Sequence, residues 1–130
     1  MFYYKNNKEL TEHISYENGI VMNIESIFQQ EPSRMIIETL EASKVWFIPI
    51  DDLERLSDSF LEIQRLYRTI LKMSLIESQI KADVLRFEPA NIRYIKLMEF
   101  HPEILKRAPL IHIASLLQMT PETLSRVRSS

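Results

Sequence analysis

Between Phe60 and Phe87 the chain contains neither glycine nor proline, and its apolar residues recur with a helical period. Ile63, Leu66, Ile70, Met73, Ile80, Val84 and Phe87 fall at alternating three- and four-residue steps, interrupted only by Glu77, which is the spacing of an a/d seam. A second stripe, Phe60, Tyr67, Leu71 and Leu75, lies beside the first. One helix of about 28 residues would span roughly 40 Å, too long for a small domain to cover on both stripes. One stripe is therefore expected to pack on the protein's own sheet. The other is expected to pack on a second copy, with Ile63, Leu66, Ile70, Met73 and Ile80 in the dimer interface. The alternative is a helix wholly enclosed in a larger monomer.

Ahead of this helix the first fifty residues read as strands and turns. Phe2-Tyr3-Tyr4 is aromatic and β-prone, and Asn6-Asn7 is a turn signal. Leu10 to Tyr16 alternates in polarity, and Glu17-Asn18-Gly19 marks a second turn. Ile24 to Gln30 fits a short helical turn around Ile24, Ile27 and Phe28, ended by Glu31-Pro32-Ser33. Met35–Leu40 and Lys44–Ile50 are predicted strands, and Val45-Trp46-Phe47-Ile48 is a candidate buried strand. An antiparallel sandwich or roll is the natural reading. Asp51 is expected to cap a short helix through Leu56, and Ser57 or Ser59 to cap the long one. The sequence thus divides into residues 1–50, a linker and dimerisation helix at 51–87, and a last unit at 88–130 that opens at Pro89.

Composition narrows the function classes. The single glycine, Gly19, disfavours the glycine-rich phosphate loops of nucleotide enzymes. The absence of cysteine removes disulfides, thiolate metal sites and a cysteine nucleophile. No apolar run approaches the roughly 20 residues of a membrane span, and no leader is visible, so a cytoplasmic protein without a membrane partner is expected. His13, His101 and His112 show no metal spacing, and no serine sits in a nucleophile elbow, so neither a metal site nor an enzyme is expected. The net charge of -2 conceals an acidic body and a mildly basic end, where Arg86, Arg93, Lys96, Lys106, Arg107, Arg126 and Arg128 outnumber the acids. That asymmetry hints at nucleic acid, although scattered surface charge would produce it too.

The basic end also carries the most informative pattern. Ile111, Ala114 and Leu117 are expected to form the inner face of a short helix, and Gln118-Met119-Thr120 the turn after it. Thr120 is a good N-cap, Pro121 suits the first helical position, and Thr123 falls at N3. Leu124 and Val127 then point inward, leaving Thr123, Ser125, Arg126 and Arg128 outward. A helix-turn-helix needs this combination of a small residue, a tight turn and a polar second helix that can enter the major groove. Arg126 can pair with a guanine, Glu122 can accept from a cytosine, and Thr123 and Ser125 can reach base edges or phosphate. Thr120 and Arg128 can reach phosphate. A capped surface helix with solvated charges would show the same spacing.

The run from Ile113 to Arg128, above all Glu122-Thr123-Leu124-Ser125-Arg126, resembles the helix-turn-helix of the Crp–Fnr superfamily of transcription regulators. Glu31-Pro32-Ser33, Ile37-Glu38-Thr39-Leu40-Glu41 and Ile50-Asp51-Asp52-Leu53-Glu54 resemble one branch of its effector domains. The resemblance implies an α+β fold. It would have a partial antiparallel β-roll like a cyclic-nucleotide-binding domain, a long dimerisation helix and a C-terminal winged-helix-like helix-turn-helix domain. It also implies that the residues matching Glu122, Ser125 and Arg126 read bases, that the partners are palindromic double-stranded DNA and a second copy, and that RNA polymerase is a further candidate partner.

Two departures stand out. Gln118 holds a turn position that is usually glycine, at a cost of roughly 1 kcal/mol for a left-handed backbone. The ends suggest a chain that starts inside the β-roll and stops before a wing. The nucleotide cassette of the family is also degenerate. Gly19 is followed by Ile20 rather than an acid, and Pro32-Ser33 stands where Arg-Ser is usual, with Arg34 two positions on. An unneutralised phosphate is costly to enclose, so cAMP is not expected to bind, and no cofactor is assigned. Gly19, Ser33, Arg34 and Ser78 remain the candidate effector residues for another small ligand, or for none. The expected function is a dimeric, sequence-specific DNA-binding regulator. The alternative is a ligand-sensing module whose helix-turn-helix no longer binds DNA.

Overall fold

The computed structural model describes residues 1–129. The fold is α+β, with one two-stranded antiparallel sheet and seven helices among the described residues. It divides into two compact units, Met1–Glu41 together with the chain from Phe87 onward, and Ala42–Arg86.

In the first unit, β1 (Phe2–Lys5) and β2 (Lys8–Thr11) pair with Phe2 opposite Thr11 and Lys5 opposite Lys8. Asn6 and Asn7 form the turn with φ of 52° and 60°, the left-handed pair that a two-residue hairpin demands and that asparagine tolerates. A single bridge adds Ile36 to Phe2 through backbone bonds of 3.0 and 2.8 Å. Sheet structure ends there, so the described residues hold a hairpin and a bridge rather than a roll. Met35–Leu40 is not a strand, and the alternation from Leu10 to Tyr16 is strand only to Thr11. The short helix α1 (Ile24–Gln29) forms where expected, capped by Asn23 Oδ1 accepting from Ser26 N–H at 2.8 Å. At the Asn18-Gly19 turn the left-handed residue is Asn18 (φ 64°). Gly19 is needed for space instead, since a Cβ there would lie 2.0 Å from Ser15 Oγ and 2.8 Å from Tyr16 O.

The same unit holds four further helices, α4 (Ala90–Phe100), α5 (Pro102–Arg107), α6 (Leu110–Leu116) and α7 (Pro121–Ser129). Leu97, Ile104, Ile113, Ala114, Leu117 and Leu124 form its buried core, with Ile14, Tyr94, Leu105 and Met119 packed at the edge. Strand β2 lies against α6, where the Thr11 N–H donates to Ser115 Oγ at 2.8 Å across 104 positions of sequence. The hairpin therefore docks on the C-terminal helices through α6.

Arg107 ties the loops of this unit together. Its guanidinium donates to both Glu17 oxygens at 2.6 and 2.8 Å and also to Glu41. The Arg107 hydrogen bonds pull the Glu17 carboxyl down to about 2. A depressed carboxylate contributes stability that is present above its unfolded value of about 4.3 and is lost as pH falls toward the folded value. A carbon-detected titration should find Glu17 near 2 in the native chain and in the ordinary range in Arg107→Gln. Equal titration in both proteins would refute the pairing.

The second unit contains α2 (Ile50–Ser59) and α3 (Leu61–Phe87), apart from the last residue of α3. The long helix appears with the expected bounds. The residues before it differ from expectation, because 42–49 are irregular and leave Trp46 83% and Phe47 90% exposed. β-branched and aromatic residues favour a strand only where a neighbouring strand offers backbone partners, and no strand forms within this unit. Asp51 lies in the first turn of α2 rather than at its cap, where its charge still suits the helix dipole. Ser57 and Ser59 do not cap α3. Their hydroxyls donate back to Leu53 O and Arg55 O at 2.8 and 2.9 Å. Neither helix buries a residue. Ile63 and Ile70 are half-buried, whereas Leu66, Met73 and Ile80 are exposed.

Candidate nucleic-acid interface

Helix α6 ends in a Schellman turn. Met119 N–H donates to Ala114 O at 2.9 Å and Gln118 N–H to Ser115 O at 3.0 Å. That closure places Gln118 at φ 51°, the left-handed position where the sequence lacks a glycine. Arg93 on α4 braces the turn. Its Nη1 donates to Leu117 O at 2.6 Å and Gln118 O at 3.2 Å, and its Nε to Glu88 O at 3.1 Å. No residue-type signal marks this brace, because every residue offers a backbone carbonyl. The only pointer in the sequence is Gln118 itself, whose awkward backbone calls for outside support.

Helix α7 starts at Thr120 and Pro121. Thr120 Oγ1 accepts from Thr123 N–H at 3.2 Å, and Thr120 O accepts from Leu124 N–H at 2.9 Å. Its own backbone N–H and the Thr120 hydroxyl hold the Glu122 carboxyl below the ordinary carboxylate range, so the charge suited to the helix start persists to lower pH. Leu124 is fully buried and Val127 half-buried, which orients the helix. Thr120, Glu122, Ser125, Arg126 and Arg128 are all exposed, and Glu122, Ser125 and Arg126 share one face of the helix. Thr123 departs from expectation. It is half-buried, its hydroxyl taken up by Thr120 at 3.2 Å and by a long contact from Arg126 Nη2 at 3.4 Å.

The inner face of α6 also needs correction. Ile113, Ala114 and Leu117 are buried, but Ile111 is 63% exposed. Leu110-Ile111 and Ile113 are all apolar, so hydrophobicity alone does not say which of them turns to the core in so short a helix. His112 lies on the opposite side, with Nδ1 3.6 Å from Glu9 Oε1 on β2.

The charge of this end is less available than its residue count suggests. Arg93 is held by carbonyls, Lys96 pairs with Glu88 at 2.7 Å, Lys106 with Glu103 at 2.7 Å, and Arg107 with Glu17 and Glu41. Arg126 and Arg128 supply the positive charge in the last turn of α7.

The candidate effector residues are engaged locally. Ser33 Oγ accepts from Met35 N–H at 2.9 Å, and the Arg34 guanidinium sits 5.6 Å from the centre of the Tyr3 ring. Gly19 lies in its exposed turn. Ser78 borders a shallow depression whose other walls are Leu75, Gln79, Ala82, Asp83 and Arg86, all from α3. Among the described residues no three histidine or acidic side chains gather as metal ligands, and no helix is long and apolar enough to cross a membrane. No protein-family model matches the chain, and no curated protein or solved structure matches it either.

Proposed function

We propose that the protein is a sequence-specific DNA-binding transcription regulator that acts as a dimer, with α6 and α7 as its helix-turn-helix. The observation that carries this reading is α7. It is capped at Thr120 and anchored through Leu124, and it presents Glu122, Ser125 and Arg126 together on an exposed face. Those residue types can read base edges once the helix enters a major groove, and Thr120 and Arg128 are residue types that can bond phosphates. The uncovered apolar length of α3 supports dimerisation, because neither it nor α2 closes a core within a single chain. Two copies related by a two-fold axis would set paired α7 helices about 34 Å apart and favour a palindromic site.

Selection from a random duplex library tests this reading. A palindromic sequence should be enriched, and its affinity should fall steeply with salt. Arg126→Ala should weaken binding to that sequence by about 1–3 kcal/mol and relax preference at one base pair. A folded protein that enriches no duplex would sink the DNA reading and favour a ligand-sensing module in which the helix pair no longer reads DNA.

A further inference from the structure

We infer that Arg93 is the positioning residue of the base-reading helix, an inference that rests on the reading of α7 given above. The argument starts from the backbone. Gln118 is a non-glycine residue at φ 51° in the turn that aims α7. Left alone, a left-handed glutamine gains by relaxing toward other conformations, and any relaxation there swings the start of α7. One guanidinium prevents that. It joins Leu117 O and Gln118 O, the carbonyls of the two peptide units that flank the Gln118 Cα, to Glu88 O, some thirty residues earlier in the chain. A guanidinium is planar and carries several donors in fixed directions, so it can hold three carbonyls in one geometry. Arg93 touches neither a base nor a phosphate in this reading. It acts through the turn.

The brace also explains how the chain does without glycine at this turn. Glycine adopts the left-handed conformation at no steric cost. Glutamine does not, and a charged donor to the carbonyls on each side compensates. The two positions should therefore be coupled: Gln118→Gly should reduce the need for Arg93.

The test uses the full chain and four variants: Arg93→Met, Arg93→Lys, Gln118→Gly, and Arg93→Met with Gln118→Gly. Amide hydrogen exchange is read first, since it does not depend on DNA. In Arg93→Met the Gln118 and Met119 amides should exchange about tenfold faster or more, while the Ile113 and Leu117 amides keep their protection. Arg93→Lys should behave like Arg93→Met, because an ammonium cannot span the carbonyls as a planar fork does. The double variant should return toward native exchange. Binding is read second, as the ratio of affinity for the selected duplex to that for a scrambled one. That ratio should fall roughly ten- to hundredfold in Arg93→Met with an unchanged salt slope, and recover in the double variant.

Unchanged exchange at Gln118 and Met119 would overturn the inference. So would equal loss of protection at Ile113, which would make Arg93 a general structural residue, or a failure of Gln118→Gly to rescue. If the native chain enriches no duplex, the DNA reading fails, and the exchange measurements still decide whether Arg93 sets the turn.

Discussion

Replacing Leu124 by alanine is expected to destabilise the unit that contains α4 to α7 by about 2–5 kcal/mol. Leu124 is fully buried among Leu97, Ile113, Ala114 and Leu117, so the deleted atoms leave a cavity rather than a surface notch. Against a total stability of about 5–15 kcal/mol for a typical domain, that is a large share. Urea unfolding should show a lower midpoint with an unchanged slope. Ile111→Ala is the matched control. It removes an apolar side chain from the same pair of helices, but one that solvent already reaches, so its effect should stay within about 0.5 kcal/mol. A loss under 1 kcal/mol at Leu124 would mean that the site collapses freely or that α7 is not anchored there. Because Leu124 also orients α7, the variant should bind the selected duplex more weakly even under conditions where it remains folded.

The second large effect concerns the seam. Met73 and Ile80 are 58% and 59% exposed on α3, so aspartate at both should be tolerated within a protomer. In the proposed dimer these positions face a second copy, and an unpaired carboxylate enclosed there is strongly unfavourable. The variant should sediment as a monomer while its circular dichroism stays native. A monomer engages one half-site at a time, so affinity for the palindrome should drop by about 10²–10⁴-fold. A variant that still sediments as a dimer would show that association runs through another surface. A dimeric variant with native affinity would remove Met73 and Ile80 from the proposed interface altogether.

Much of the local structure was legible because its signals lie within a few residues of their effects. Twenty-seven residues of α3 follow from a stretch free of glycine and proline. The Asn6-Asn7 turn depends on a residue type that tolerates one local backbone geometry. The same holds for the start of α7, where Thr120 and Pro121 stand at the positions their chemistry suits. Gln118 was expected to be left-handed only through the resemblance, which implies a glycine at that turn, and its φ is 51°.

The site was less legible where a residue's role depends on a distant partner. Met35–Leu40 and Lys44–Ile50 have the composition of strands, yet a strand exists only where another offers its backbone, and Ile36 finds just one bridge. Ile111 and Ile113 differ in nothing that sequence records, and the packing of α5, α7 and β2 around α6 decided which one is buried. Thr123 was turned from an outward reader into a half-buried participant of its own cap.

What the sequence by itself determined is therefore the long helix, the short helix at Ile24, the Asn6-Asn7 turn, the start of α7 at Thr120 and Pro121, and most of the polar residues that α7 presents. Those features follow from backbone preferences that each residue carries with it. Only the tertiary structure decided that the hairpin docks on α6 through Thr11 and Ser115, that Arg107 gathers Glu17 and Glu41, and that Arg93 braces the turn at Leu117 and Gln118. Each of these is a contact between segments far apart in the chain. Its partner is one of many chemically equivalent groups, and packing of the whole unit selects among them.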